Sequence, residues 1–213
     1  MLKPAHIYAE HRDWPGYFQA VAGKGPRETL TAALSEFARR SPHPTPSESP
    51  LAIDLGCGEG RDTVELLRHG FTVLAIDSHP QAAQLLAARA DIPADMRPRL
   101  RFTQAAFENL QLPPAALINA SFALPFCPPR HFAALWQQIT TSLPRGGLFC
   151  GQLFGDKDSW ATLPDRSHQT RAQVNTLLEP FNVLDLKEED KPGQEFDGKI
   201  KHWHVYHIVA SKH

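Results

Sequence analysis

Asp54-Leu55-Gly56-Cys57-Gly58-Glu59-Gly60 is the stretch that decides how this chain folds. Leu51-Ala52-Ile53-Asp54-Leu55 leads into it as a short apolar run, the pattern of a buried strand. Arg61 to His69 leaves it with helical periodicity, and Gly70 is a C-terminal stop. Gly56 allows the chain to turn sharply, and Gly58 and Gly60 offer a ligand main chain with no Cβ in the way. In an open parallel sheet, the crevice outside a strand's carboxyl end is where ligands bind.

Strand-like and helix-like segments alternate outward from this turn. Phe71 to Ile76 reads as a second strand, and Pro80 to Ala90 as an Ala/Leu-rich helix that Pro80 can open. Leu100 to Thr103, Ala116 to Ala120 and Leu148 to Phe154 read as further strands. A helix over Arg130 to Leu143 is stopped by Pro144 and Gly146-Gly147. Thr170 and Gln173 make a capping-box pattern for a helix reaching about Leu178. Phe181 to Leu186 and His202 to Ala210 close the chain as two strands, which pair antiparallel because no helix separates them. The charged segment Glu188 to Lys199, with two glycines and Pro192, reads as a mobile loop between them. The expected fold is α/β: a Rossmann-like, doubly wound sheet of about seven strands, mostly parallel with an antiparallel last strand.

Upstream, the four prolines of residues 41–50 exclude a helix or a central strand and predict an exposed connector. Before it, Leu30, Ala33, Leu34 and Phe37 share one face of a helix over Arg27 to Arg40. The expected organisation is a single domain over 1–213, with an N-terminal cap region (1–40), the connector (41–50) and the core (51–213).

Hydrophobic residues make up 42% and charged residues 21% of the 213, the composition of an ordinary globular domain. A formal net charge of -1 gives no pull toward nucleic acid, which is not an expected partner. No apolar run approaches the roughly 18–20 residues needed to cross a bilayer, and the charged N-terminus has no signal-peptide pattern. Cys57, Cys127 and Cys150 form neither an even set nor a metal-ligand spacing, so a cytoplasmic location is expected.

Two cofactor classes use such a turn. A dinucleotide site needs a small residue where Arg61 stands, which counts against a nicotinamide enzyme. The D-x-G-x-G-x-G form led by Asp54 instead resembles the first motif of class I S-adenosylmethionine-dependent methyltransferases. Asp77 ends the second strand, 21 positions after Gly56, where a carboxylate can accept hydrogen bonds from both ribose hydroxyls. The alternative is a ligand-free turn with Asp77 capping the next helix. The resemblance covers about Leu51 to Ala210. Its turn is also similar to that of the tellurite-resistance and thiopurine-type small-molecule methyltransferases.

That resemblance implies S-adenosyl-L-methionine as cofactor, held by Asp54, Gly56, Cys57, Gly58, Gly60, Asp77 and Ser78. Asp54 would orient the turn and meet the methionine amino group. Ala106 stands where relatives carry an acid for the adenine amino group, so that hydrogen bond must come from elsewhere; Phe107 would cover the adenine ring. Asn119, in Asn119-Ala120-Ser121-Phe122, is expected near the cofactor and the attacking atom, although an Asn at a strand end also satisfies backbone groups.

The acceptor is expected at the carboxyl ends of strands four and five and from the N-terminal region. Trp14, Tyr17, Phe122, Trp160 and His202 are candidate substrate contacts, and Tyr17, Asn119 and His204 are candidates for a catalytic role. Tyr8, His11, Trp14, Tyr17 and Phe18 would form a cap over the cofactor or pack as an N-terminal arm. Alternation puts His202, His204 and Tyr206 on one face of the last strand and Trp203, Val205 and His207 on the other. No acid or cysteine adjoins these histidines in sequence, and no metal site is expected.

Methyl transfer needs alignment more than acid–base chemistry, so no catalytic signature is required. The leading expectation is in-line methyl transfer to O, N, S or a chalcogen of a small molecule. The alternatives are a methyltransferase of protein or nucleic acid, and a non-catalytic S-adenosylmethionine-binding protein that kept the fold.

Overall fold

A computed structural model describes residues 13–40 and 49–213. All but the end of the proline-rich connector, and Tyr8 and His11, lie outside the described residues. The elements run α1 (Trp14–Val21), α2 (Glu28–Arg40), β1 (Leu51–Leu55), α3 (Arg61–Arg68), β2 (Thr72–Asp77), α4 (Pro80–Ala88), β3 (Leu100–Gln104) and β4 (Leu117–Ala120). They continue with α5 (Pro129–Ser142), β5 (Leu148–Gly155), β6 (His168–Gln169), α6 (Arg171–Leu178), β7 (Phe181–Gln194) and β8 (Ile200–Lys212).

The strand order is β3-β2-β1-β4-β5-β8-β7, and the two-residue β6 pairs with β5. All pairings from β3 across to β5 are parallel; β8 is antiparallel to both β5 and β7. The order reverses between β1 and β4, and there Asp54 is in register with Asn119. This is the switch point at which ligands gather in doubly wound sheets.

Period-two alternation divides the apolar residues between two layers. Ala52, Val73, Ala75, Leu117 and Val209 pack with Leu30, Leu34, Val64, Leu67 and Leu86 of α2, α3 and α4. Ile53, Ile118, Phe149, Tyr206 and Ile208 pack on the other face with Trp136, Ile139 and Val174 of α5 and α6. Thr170 and Gln173 close the expected capping box at α6.

Two expectations are corrected. Glu188 to Lys199 is not a mobile loop: β7 and β8 form one long hairpin, paired from Phe181↔Lys212 to Gln194↔Ile200. β7 is the sheet's edge strand and is largely exposed, so its charges and Pro192 face water rather than contradict a strand. The N-terminal region, read only as an aromatic cluster, contains helix α1, whose first turn is closed by the Asp13 carboxylate accepting from the Gly16 N–H at 2.8 Å.

Gly60, expected to face a ligand, instead serves the packing of two helices. It is left-handed (φ 86°), and a Cβ on it would overlap Leu86 Cδ1, so it lets α3 pack against α4. Gly70 has the same left-handed backbone (φ 88°), but a Cβ there would meet open space. Gly70→Ala should cost about 1–2 kcal/mol from the left-handed backbone alone. Gly60→Ala should cost at least about 1 kcal/mol more, because buried Leu86 must shift. Urea denaturation of the two variants compares them directly, and equal losses would contradict the packing role.

Candidate functional site

β1 delivers Asp54 to the switch point almost fully buried, at 1% exposure. Its carboxylate accepts from Thr63 Oγ1 at 2.5 Å and from Asn119 Nδ2 at 2.8 Å. The same Asn119 amide donates to Asp62 Oδ2 at 3.1 Å, and Asp62 Oδ1 accepts from the Arg27 N–H at 3.0 Å. Burial pushes the Asp54 carboxyl up to about 7, with the charge of Asp62 adding to the rise and the hydrogen bonds of Thr63 and Asn119 opposing it. Asn119 is therefore a buried bridge between two acids and does not line the cavity, so it is placed as a positioning residue rather than a cofactor or catalytic contact.

Gly56 turns with φ 68°, and a Cβ there would lie 2.5 Å from that of Ala123. The end of β2 is tied to the turn: Asp77 accepts from the Gly58 N–H at 2.9 Å and from the His79 N–H at 2.8 Å. Burial raises the Asp77 carboxyl, and both backbone donors hold it down. Phe18 of α1 packs over Gly58 and makes an edge contact with His79, at 5.5 Å between rings.

These residues open into a cavity of about 1070 Å³. Asp54, Gly56, Cys57, Gly58, Asp77, Ser78 and Phe107 line it, as do Trp14, Tyr17, Phe122 and Trp160. Gly60 and Ala106 do not; Ala106 heads the short turn Phe107–Asn109, and Ala105 faces the cavity instead. The tip of the β7–β8 hairpin supplies Phe196, which meets Tyr17 edge-on at 5.7 Å between rings.

After β4 the chain bends at Phe122, the one non-glycine with positive φ (52°) among the described residues. Its N–H is held by Gln152 Oε1 at 2.8 Å, and its ring carries the Arg27 guanidinium at 4.4 Å. These contacts hold the strained backbone of Phe122 beside the cavity.

On β8 the alternation is right, but the cavity lies on the other face. Trp203 and Val205 line it, whereas His202 and His204 point away, which corrects both as contacts at this site. His204 Nδ1 accepts from the Lys157 N–H at 3.1 Å and Nε2 meets Glu188 Oε1 at 2.9 Å. His202 Nε2 lies 2.5 Å from Asp190 Oδ1. Cross-strand pairing thus does group acids with these histidines, which sequence adjacency hides. Lys157 and Arg171 already hold Asp190 and Glu188, and both His204 nitrogens are used, so the set satisfies itself. Of the three catalytic candidates, Tyr17 alone lines the cavity, its oxygen 3.3 Å from Arg27 Nη2.

Arg27, Asp165 and Arg166 also line the cavity, and nothing in the local sequence singles them out. Arg27 Nε, Arg166 Nε and Asp165 Oδ1 are buried without a hydrogen-bond partner among the described residues. Each such unmet group costs about 1–3 kcal/mol.

Residues 52–147 match the family model described as a methyltransferase domain. No curated protein matches by sequence. Among solved structures, the chain is similar to TehB from Haemophilus influenzae (TM-score 0.65, 14% identity over 85% of this chain), and spans only 62% of that protein's length. It is similar to NodS, an N-methyltransferase of Bradyrhizobium japonicum solved with S-adenosylhomocysteine (TM-score 0.63, 15% identity, 97% of this chain and 99% of that one). A Burkholderia thailandensis 1,6-didemethyltoxoflavin-N1-methyltransferase aligns over 100% of this chain and 92% of its own (TM-score 0.60, 19% identity). These likenesses establish the class I methyltransferase fold.

The state of Asp54 has a measurable consequence. An unfolded aspartate titrates near 3.8 and the folded Asp54 near 7, so between those values the fold holds a proton that the unfolded chain has released. Stability from this group therefore falls as pH rises through that window. Asp54→Asn should lose less thermal stability than the parent between about pH 5 and about pH 8, with each kcal/mol spared worth about 2–4 °C in Tm. Parallel melting curves of the two proteins across that range would contradict the assignment.

Proposed function

We propose, from the premise that residues 52–147 are a class I, S-adenosylmethionine-dependent methyltransferase domain, that this chain methylates a small molecule at oxygen, nitrogen, sulfur or another chalcogen. The observation that carries this reading is one cavity that joins the glycine turn to walls built from α1, the β4 end and the β7–β8 hairpin. Side chains from several elements enclose it, which supports a small acceptor over a macromolecular one.

The residues present fit the cofactor. Asp77 stands at the end of β2 for the ribose hydroxyls, flanked by Ser78, with Phe107 beside the turn for the adenine. Asp54 has a raised carboxyl that an approaching ammonium would return to the charged form. Arg27, which lines the cavity, would take the carboxylate end. The cofactor supplies a methyl carbon activated by its positive sulfur. The chain contributes alignment and a dry enclosure, together worth several kcal/mol. Helix α1 provides the cover: Phe18 lies over Gly58 and has to yield where the cofactor crosses the turn.

Calorimetric titration with S-adenosylhomocysteine tests the reading. The parent protein should bind, and Asp77→Ala should bind at least about ten-fold more weakly through lost charge-assisted hydrogen bonds. No measurable affinity in the parent would overturn it.

A further inference from the structure

Gln152 of β5 is only 1% exposed, yet it touches both supports of one cavity-lining cation, Arg27. Its Oε1 accepts from the Phe122 N–H at 2.8 Å, and its Nε2 donates to Thr29 Oγ1 at 3.0 Å. The Phe122 ring carries the Arg27 guanidinium at 4.4 Å, and Thr29 stands two residues beyond Arg27 in the first turn of α2. One buried amide thus fixes the platform under this arginine and the helix start that bears it.

The left-handed backbone of Phe122 (φ 52°) disfavours any residue with a Cβ and suits glycine. A phenylalanine is costly there, and what it adds over glycine is its ring. That ring is pinned by edge contacts with Phe154 and His207, at 6.5 and 6.1 Å between ring centres. The guanidinium is held from α1 as well, where its Nη2 donates to the Tyr17 hydroxyl at 3.3 Å. Below it, the Arg27 N–H is joined through Asp62 and Asn119 to Asp54. A cation and an acid so linked match the two charges of an α-amino acid, whose carboxylate and ammonium sit on one carbon.

We propose, resting on the methyltransferase reading above, that Gln152 and Phe122 are positioning residues for the amino-acid end of the cofactor. They hold Arg27 where its guanidinium meets the carboxylate. Gln152 does not line the cavity, so its effect passes through Phe122 and Thr29 to Arg27.

Two ligands isolate the carboxylate: S-adenosylhomocysteine, and its decarboxylated analogue, which keeps the amine. Calorimetry on the full chain should give the parent at least about a ten-fold preference for S-adenosylhomocysteine. Gln152→Met keeps the side chain's length and removes both hydrogen bonds. It should weaken S-adenosylhomocysteine at least about five-fold and leave the decarboxylated analogue within about two-fold of the parent. Phe122→Leu keeps apolar bulk and loses the ring face. It should show the same selective loss, and supplies the same test where Gln152→Met does not fold. Arg27→Met should abolish the preference, and adding Gln152→Met to it should change neither affinity by more than about two-fold. Four results would overturn the proposal: equal affinities in the parent, no loss from either single variant, a loss that falls on both ligands alike, or one that persists in the Arg27→Met background. Failure of the parent to bind S-adenosylhomocysteine would instead overturn the methyltransferase reading.

Discussion

Everything at the ligand end of this sheet hangs on a buried carboxylate beside a buried amide. β1 and β4 are adjacent in parallel register, which places Asp54 next to Asn119 at the point where the strand order reverses. A carboxylate there has left water, and the cost appears as its raised affinity for a proton. Asn119 meets that cost with one N–H to Asp54 and another contact to Asp62. Asp62 in turn accepts from the Arg27 backbone, just before α2. One amide side chain thereby links the turn, α3, β4 and the start of α2. A carboxylate so placed is kept charged only at some expense of stability.

That linkage also explains why the covering parts converge. Arg27 sits between the acid network below and Phe122 and Tyr17 at the cavity wall. The strained turn at Phe122 is held by Gln152, whose own amide reaches Thr29 of α2 at 3.0 Å. The wall is thus tied to the helix that follows the cover, so a change at Arg27 would be felt both below and above the ligand.

Much of this is legible in the sequence, and the failures have physical causes. Apolar period and glycine placement mark out β1, α3, β2 and the switch-point turn because local sterics and burial decide them. Alternation assigns the two faces of β8 correctly, but which face meets the ligand depends on how the sheet is layered, so His202 and His204 fall on the wrong side. The β7 hairpin arm escapes sequence reading because an edge strand needs no inward apolar face and tolerates proline and charge. Asn119 carries no local sign of its role, since Asp62 lies 57 residues away in the chain. Asp165-Arg166 looks like any polar loop until burial is known. Helix α1 does leave a signal, Asp13 followed by Pro15, which is a cap and a first-turn proline.

The aromatic wall needs an explanation of its own, since flat rings on a loop and a strand end would otherwise shift with each ligand. Lys201 supplies it. Its ammonium is buried at 2.5 Å from Asp158 Oδ1 and lies over Trp160 at 3.5 Å and Trp203 at 3.8 Å from the ring centres. Asp158 also accepts from the backbone N–H groups of Trp160 and His204, joining the loop after β5 to the start of β8. A buried ion pair adds little net stability, but it punishes displacement, because either partner moved alone is left charged and dry. Two indoles share that penalty through their faces. The wall is therefore held by the buried charge of Lys201. An alignment-driven reaction requires positions that do not drift.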